Sequence, residues 1–284
     1  VYVSHQKANQ IVIYRLNEDT GELIKQTKVD LRRPSMICVN KQKTHLHVAN
    51  DKFIVSYKIE NDNSLTQIGQ KPIPYRTVYS ILNRDDSIMM TAHYREGEIA
   101  TFEMNPDNTV GKELQRIQTD RKAHCIRASL DNRFVYVPHT QANKIFQYRL
   151  GEDNKLIPLS PAVIETTGQP RHITFHPNNT IAYCINERGP EGSSVSVYTI
   201  GKNGSLSHIQ TIDTLPADFD RLGNTCADIE IHPSGKFLYA SNRGHDSITV
   251  FAINPTDSTL SFISRHPTQD FPRSYNLSPT GNHL

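Results

Sequence analysis

Tryptophan is absent from the 284 residues, and cysteine is sparse: Cys38, Cys125, Cys184 and Cys226 stand far apart with no CxxC pair. That spacing excludes a zinc ribbon or a dithiol motif and fits reduced, buried thiols, so a cytoplasmic protein without disulfides is expected. Charge of neither sign is in excess, with 31 basic against 29 acidic residues. No basic stripe recommends a nucleic-acid partner. No apolar run is long enough to cross a bilayer, and no signal-peptide pattern opens the chain, so no membrane partner is expected. HExxH, GxSxG, P-loop and GxGxxG motifs are all missing, which argues against the enzyme classes that depend on them. His45 and His47 share a strand face, but no third ligand stands at metal spacing, so no metal and no cofactor are expected. Hydrophobic residues make up 36% and aromatics 8%, which is low for one thick core and suits many thin sheets.

What the chain does have is repetition. Six stretches share one pattern: "IVIYRLNEDTGEL", "IVSYKIENDNSL", "IATFEMNPDNTV", "IFQYRLGEDNKL", "VSVYTIGKNGSL" and "ITVFAINPTDSTL". Their aromatics, Tyr14, Tyr57, Phe102, Tyr148, Tyr198 and Phe251, recur at intervals of 43 to 53 residues. Each stretch alternates apolar and polar residues, passes through Asp, Asn or Gly, and enters a new strand, which predicts a β-hairpin. A second hairpin precedes each, clearest in "ITFHPNNTIAYCIN", "IEIHPSGKFLYASN" and "IRASLDNRFVYVPH". Four antiparallel strands in about 45 residues is the size of a β-propeller blade, so an all-β propeller in a single domain over residues 1–284 is predicted. The chain opens on a second strand without a Met and closes on a first strand and its turn, so a fragment with about six blades' worth of strands is expected. "TLPADFDRLGNT" at 214–225 reads as a loop between two repeats, of the kind that often serves a site.

Overlaying the repeats sorts the charges. Arg171 lies five residues before the turn residue His176, and His124 and Arg273 lie five before Ser129 and Ser278. All three therefore begin the innermost strand of their repeats. Asn186-Glu187 and Asn242-Arg243 end the second strands. In antiparallel neighbours these two ends lie on one edge, so the charges are expected to ring one mouth of a central channel. Charge placed in such a funnel is costly unless paired or used. Strand alternation puts His172 on the opposite face from Arg171, in a structural role. His176 and His232 read as turn residues, and Asp246 as a residue that orients the turn after Arg243.

The stretches "GQPRHITFHPNNTIAYCINE" and "CADIEIHPSGKFLYASNRGHDSITVFAI", with "FPR" and "SPTG" beyond them, resemble the bacterial lactonase family of seven-bladed propellers. That family includes the propeller-type 6-phosphogluconolactonase and a carboxymuconate cyclase. The resemblance runs in phase along the whole chain and is strongest from residue 168 onward. It implies seven blades, with a C-terminal truncation of about one repeat here, and lower stability for the shortened chain. It implies a catalytic set of a His, two Arg and a Glu, which falls on His124, Arg171, Glu187 and Arg243. Glu187 or His124 would take a proton from water, while Arg171 and Arg243 would hold the anionic group and polarise the ester carbonyl of a small anionic lactone. Arg273, Asn186 and Asn242 would be further substrate contacts. Three rival readings follow: a muconate-type lactonising cyclase using the same four residues, a non-catalytic propeller scaffold, and a metal-dependent sugar lactonase of six blades.

Overall fold

The computed structural model describes residues 1–284, and its regular secondary structure is twenty-three strands in six antiparallel sheets with one short 3-10 helix at Arg221–Gly223. Five sheets have four strands in sequence order and one has three. The predicted all-β chain of tandem blades is therefore present.

Turn chemistry explains why the sequence breaks where it does. Between the third and fourth strands of successive repeats, one residue always has a left-handed backbone: Gly21, Asn63, Asn108, Asn154, Gly204 and Ser258. Between first and second strands the same conformation falls on Lys43, Asp86, Asn132, Asn179 and Gly235, and Gly281 holds it in the corresponding turn near the C-terminus. Asn and Gly tolerate that region best, and the preceding Asp or Asn caps the turn. Asp62, Asp107 and Asp257, for instance, each accept the backbone N–H two residues on, at 2.9 Å. At Gly204 the requirement is double, because a Cβ there would also meet the Phe134 ring. The register between the third and fourth strands slips at the repeated aromatic, as between Ser56 and Tyr57 or Val250 and Phe251. Such bulges raise the twist of a blade.

The chain forms two compact units. The first, Val1–Ile126 with Leu150–Leu156, holds three sheets: Tyr2–His5, Gln10–Leu16 and Leu23–Asp30; then Ile37–Val39, His45–Ala49, Phe53–Ile59 and Leu65–Pro72; then Tyr79–Leu82, Ile88–His93, Glu98–Met104 and Val110–Gln118. Its core fills the gaps between facing sheets, with Ile11, Leu46, Val48 and Tyr57 in one layer and Ile54, Met89 and Phe102 in the next.

The second unit, Arg127–Arg149 with Ile157–Leu284, holds the sheet of Arg127–Ala128, Phe134–His139, Lys144–Leu150 and Leu156–Glu165, the sheet of Pro170–Phe175, Ile181–Asn186, Ser194–Ile200 and Leu206–Asp213, and the sheet of Thr225–Ile231, Phe237–Arg243, Ser247–Ile253 and Leu260–Pro267. Tyr183, Ile185, Val197, Leu238 and Phe251 pack between the last two. The neighbouring sheets are also tied by tyrosines on the second strands. The Tyr136 hydroxyl donates to the Gly204 carbonyl at 2.7 Å, and the Tyr183 hydroxyl to the Ser258 carbonyl at 3.0 Å. Each tie runs from one sheet to the outer turn of the next. Tyr183→Phe is expected to cost about 1–2 kcal/mol in urea unfolding, since it strands a buried carbonyl; an unchanged midpoint would refute the tie.

Residues 268–284 carry no strand, contrary to the expected first strand there. Its hairpin turn nevertheless forms, with Gly281 N–H donating to the Ser278 carbonyl at 2.9 Å. A strand exists only through a bonded partner, and no other strand pairs with this segment.

Candidate functional site

Arg171, Glu187 and Arg243 meet in the second unit. Arg171 is the second residue of its sheet's first strand, Glu187 follows the second strand of the same sheet, and Arg243 ends the second strand of the next sheet. The Arg243 Nη2 donates to Glu187 Oε1 at 2.6 Å, and Arg171 Nε lies 4.0 Å from the same oxygen. Arg243 also donates to the carbonyls of Cys226 (2.7 Å) and Thr225 (3.2 Å), and Arg171 to that of Ala227. Both guanidinium groups are buried, with Arg171 only 2% and Arg243 only 4% exposed. The Arg171 Nε has no hydrogen-bond partner.

Burial pulls the Arg171 guanidinium down to about 10, helped by repulsion from Arg243 and Arg273 and opposed by Glu187 and Asp228. The charges that act on Arg171 thus join it in a cluster of three guanidinium groups against two carboxylates. Such a cluster carries a surplus positive charge in a low-dielectric place, which favours an anion. Arg273, exposed on the segment after the last strand, adds its charge to that cluster.

His124 lies in the first unit, where it is buried and meets Tyr94 edge-on at 5.5 Å. The Lys122 ammonium sits over the face of the same Tyr94 ring at 4.6 Å.

Asn186 and Asn242 are completely buried. The Asn186 amide donates to Ser194 Oγ (2.9 Å) and Ser196 Oγ (2.8 Å), and that of Asn242 to Ser247 Oγ (3.2 Å) and Thr249 Oγ1 (3.1 Å). Thr214 and the Cys226 thiol both turn toward Asn242 Oδ1. This network fixes the ends of the strands that carry Glu187 and Arg243, while the Asn186 Oδ1 is buried without a hydrogen-bond partner.

His172 departs from the expected alternation. The register slips between Pro170 and His172, so Arg171 and His172 both reach toward the same neighbouring strand. The His172 Nδ1 lies 2.7 Å from Asp228 Oδ1, a contact that the sequence reading missed. Asp228 was legible in principle, because Ala227-Asp228 overlays Arg171-His172 in the repeat. Burial, with Arg171 next, pulls the His172 imidazole down to about 4. Burial pushes the Asp228 carboxyl up, but His172 and Arg171 hold it below the usual carboxylate range.

The loop at 214–225 lies beside Arg243. Phe219 meets His245 edge-on at 4.8 Å, and Asn224 Oδ1 accepts the His245 N–H at 3.1 Å. Asp246 orients the turn as expected, accepting the N–H groups of Gly244 and Phe271 at 2.9 Å each. The Phe271 ring, over half exposed, then covers the Arg243 guanidinium at 5.2 Å. All four cysteines are free and buried. No helix is long and apolar enough to cross a membrane.

Residues 1–284 match a family profile described as lactonase, 7-bladed β-propeller. The chain is 31% identical to a 6-phosphogluconolactonase of Pectobacterium carotovorum over its full length, covering 86% of that protein. It is also 31% identical to the 6-phosphogluconolactonase of Yersinia pestis, covering 85%. Among solved structures it resembles the periplasmic gluconolactonase of Pseudomonas aeruginosa with a TM-score of 0.87 at 25% identity, over 95% of this chain and 83% of that one.

Proposed function

Because the chain belongs to the seven-bladed β-propeller lactonase family, we propose that it hydrolyses a small anionic lactone, a phosphorylated sugar lactone of the 6-phosphogluconolactone type foremost. The observation that carries this reading is that two buried guanidinium groups, Arg171 and Arg243, converge on the one carboxylate of Glu187, with the exposed Arg273 adding its charge nearby. Planar guanidinium forks suit a phosphate or carboxylate and the oxyanion of an opening ester.

Hydrolysis needs water, a proton acceptor and a home for negative charge. In the proposed scheme water adds to the lactone carbonyl carbon as its proton passes to Glu187. Arg171 and Arg243 bind the substrate anion and stabilise the carbonyl oxygen as it becomes an oxyanion. The ring C–O bond then breaks, and its oxygen takes a proton to leave an open-chain hydroxy acid. Arg273 contacts the anionic group from the exposed side. Glu187 supports this role in that Arg243 aims its Oε1, while its side chain keeps 18% of its surface open to solvent. Asn186 and Asn242 act as positioning residues. No step calls on a metal, so turnover is expected to survive exhaustive chelation. Loss of activity restored by a divalent cation would overturn that part of the scheme. Four buried reduced thiols support a cytoplasmic setting.

The deciding experiment is base titration during hydrolysis of freshly made 6-phosphogluconolactone, with carboxymuconate as the comparison. Acid release faster than spontaneous opening supports the proposal. Turnover of the muconate alone would transfer the site to lactonising chemistry, and turnover of neither would leave a binding scaffold.

A further inference from the structure

Asp228 is a buried carboxylate beside a buried guanidinium, yet the two are not hydrogen-bonded. Its oxygens are taken by other donors: His172 Nδ1 at 2.7 Å and Ile229 N–H at 3.1 Å on Oδ1, and Ser274 Oγ at 3.0 Å and Tyr275 N–H at 3.4 Å on Oδ2. Its own N–H donates to Ser241 Oγ at 2.9 Å. Meanwhile the only hydrogen-bond acceptor of Arg171 is the neutral carbonyl of Ala227, the residue just before Asp228. Glu187, the other acid in the cluster, is engaged by Arg243.

Two matching bulges create this arrangement. The register slips between Pro170 and His172 in one strand and between Cys226 and Ile229 in the next. The first turns Arg171 and His172 toward the same neighbour. The second presents the Ala227 carbonyl to Arg171 and the Asp228 carboxylate to His172. Bulges of this kind re-aim side chains next to sites.

We propose that His172 is a positioning residue that occupies Asp228 and thereby keeps Arg171 un-neutralised for the substrate's anionic group. The proposal rests on the lactonase reading only for its substrate class. It says which cation of the cluster takes the anion and why that cation is available. Remove the imidazole, and Asp228 Oδ1 is released next to Arg171. The guanidinium then pairs with it, and an incoming anion must compete with a resident carboxylate. The groups that face His172 are Arg171 on its own strand, Arg127 on the first strand of the preceding sheet, and Asp228 opposite.

The test compares the wild type with His172→Ala and with His172→Asn, whose amide nitrogen stands at the place of Nδ1 and donates to Asp228 Oδ1 in its stead. Affinity for inorganic phosphate is measured by calorimetry, and kcat and KM for 6-phosphogluconolactone and for uncharged glucono-1,5-lactone. His172→Ala is expected to weaken phosphate binding at least tenfold and to raise KM for the phosphorylated lactone similarly, while the uncharged lactone loses less than threefold. His172→Asn is expected to restore phosphate binding to within about threefold. Phosphate affinity unchanged in His172→Ala overturns the proposal. So does an equal loss on both lactones, which would mark His172 as merely structural. If the wild type opens neither lactone, the functional reading falls, and the phosphate titration still decides this proposal by itself.

Discussion

Glu187→Ala is expected to abolish lactone turnover and to lower the stability of the fold together. The variant leaves Arg171 and Arg243 in place, both nearly sealed from water, without the carboxylate that Arg243 holds at 2.6 Å. Breaking a buried pair by removing one partner costs about 3–5 kcal/mol, because the remaining charge is neither hydrated nor paired. The effect is aggravated here by a second guanidinium that already repels the first. In catalysis the same change removes the residue that orients Arg243 and serves as the proton acceptor of the proposed scheme. A fall in kcat/KM of at least about 10³-fold follows from typical losses for preorganised charge. Urea unfolding and turnover are measured on Glu187→Ala, Arg243→Met and the double variant. Part of the lost stability is expected to return in the double variant, since the Arg243 charge leaves with its partner while Arg171 stays. A single variant as stable as the wild type would show that the pair holds nothing.

The second large effect is a loss of stability in mild acid. His47, only 1% exposed beside Ser56, and His172 are both held at about 4, chiefly by burial. His45 adds repulsion to the first, and Arg171 to the second. An unfolded histidine takes its proton near pH 6.5, and these two in the native fold do not until about 4. Above 6.5 both states are neutral, and the pair contributes no pH dependence. Between 6.5 and 4 the unfolded chain binds more protons, so stability falls as pH falls. At about 1.4 kcal/mol per unit and group, the two together remove on the order of 7 kcal/mol across that window. Below it Asp228 adds to the loss, because its depressed carboxyl stabilises the fold only while ionised. Glu230, whose carboxyl burial pushes up to about 7, opposes part of this loss over the same window, because there the native fold binds the extra proton. Urea midpoints at pH 7.5, 6, 5 and 4 read the net fall, and His47→Gln is expected to reduce its slope. A flat profile down to pH 4.5 would show that these imidazoles accept protons in the native fold.

How much of this was legible follows from what repeats and what does not. The aromatic at Tyr57, Phe102, Tyr198 or Phe251, and the Asp-Asn or Asn-Gly turn after it, are set by local chemistry: a buried face and a left-handed backbone. They read directly as a hairpin. Overlaying those hairpins was enough to bring Arg171, Glu187 and Arg243 together, since equivalent positions in equivalent sheets fall at equivalent places. The bulge at Arg171 was not legible, because a period of two assumes an unbroken ladder. One inserted residue reversed the expected direction of His172 and concealed its partner. Asn186 and Asn242 show another limit. Their position was legible, but the hydroxyls of Ser194, Ser196, Ser247 and Thr249 that take their amide donors were not, because no pattern announces the direction of those side chains. The strand expected within residues 268–284 failed because sequence supplies only one side of a ladder.

The tyrosine ties carry a consequence for how surface segments move. The turns at Gly204 and Ser258 are solvent-facing loops by position, yet their carbonyls are gripped by phenols rooted in the adjacent sheet. Fraying either turn therefore means extracting an aromatic ring from between layers, a cost ordinary loops never meet. Amide exchange in these outer bends should keep time with the neighbouring interior, so that protection migrates sideways from blade to blade and does not simply fade with depth.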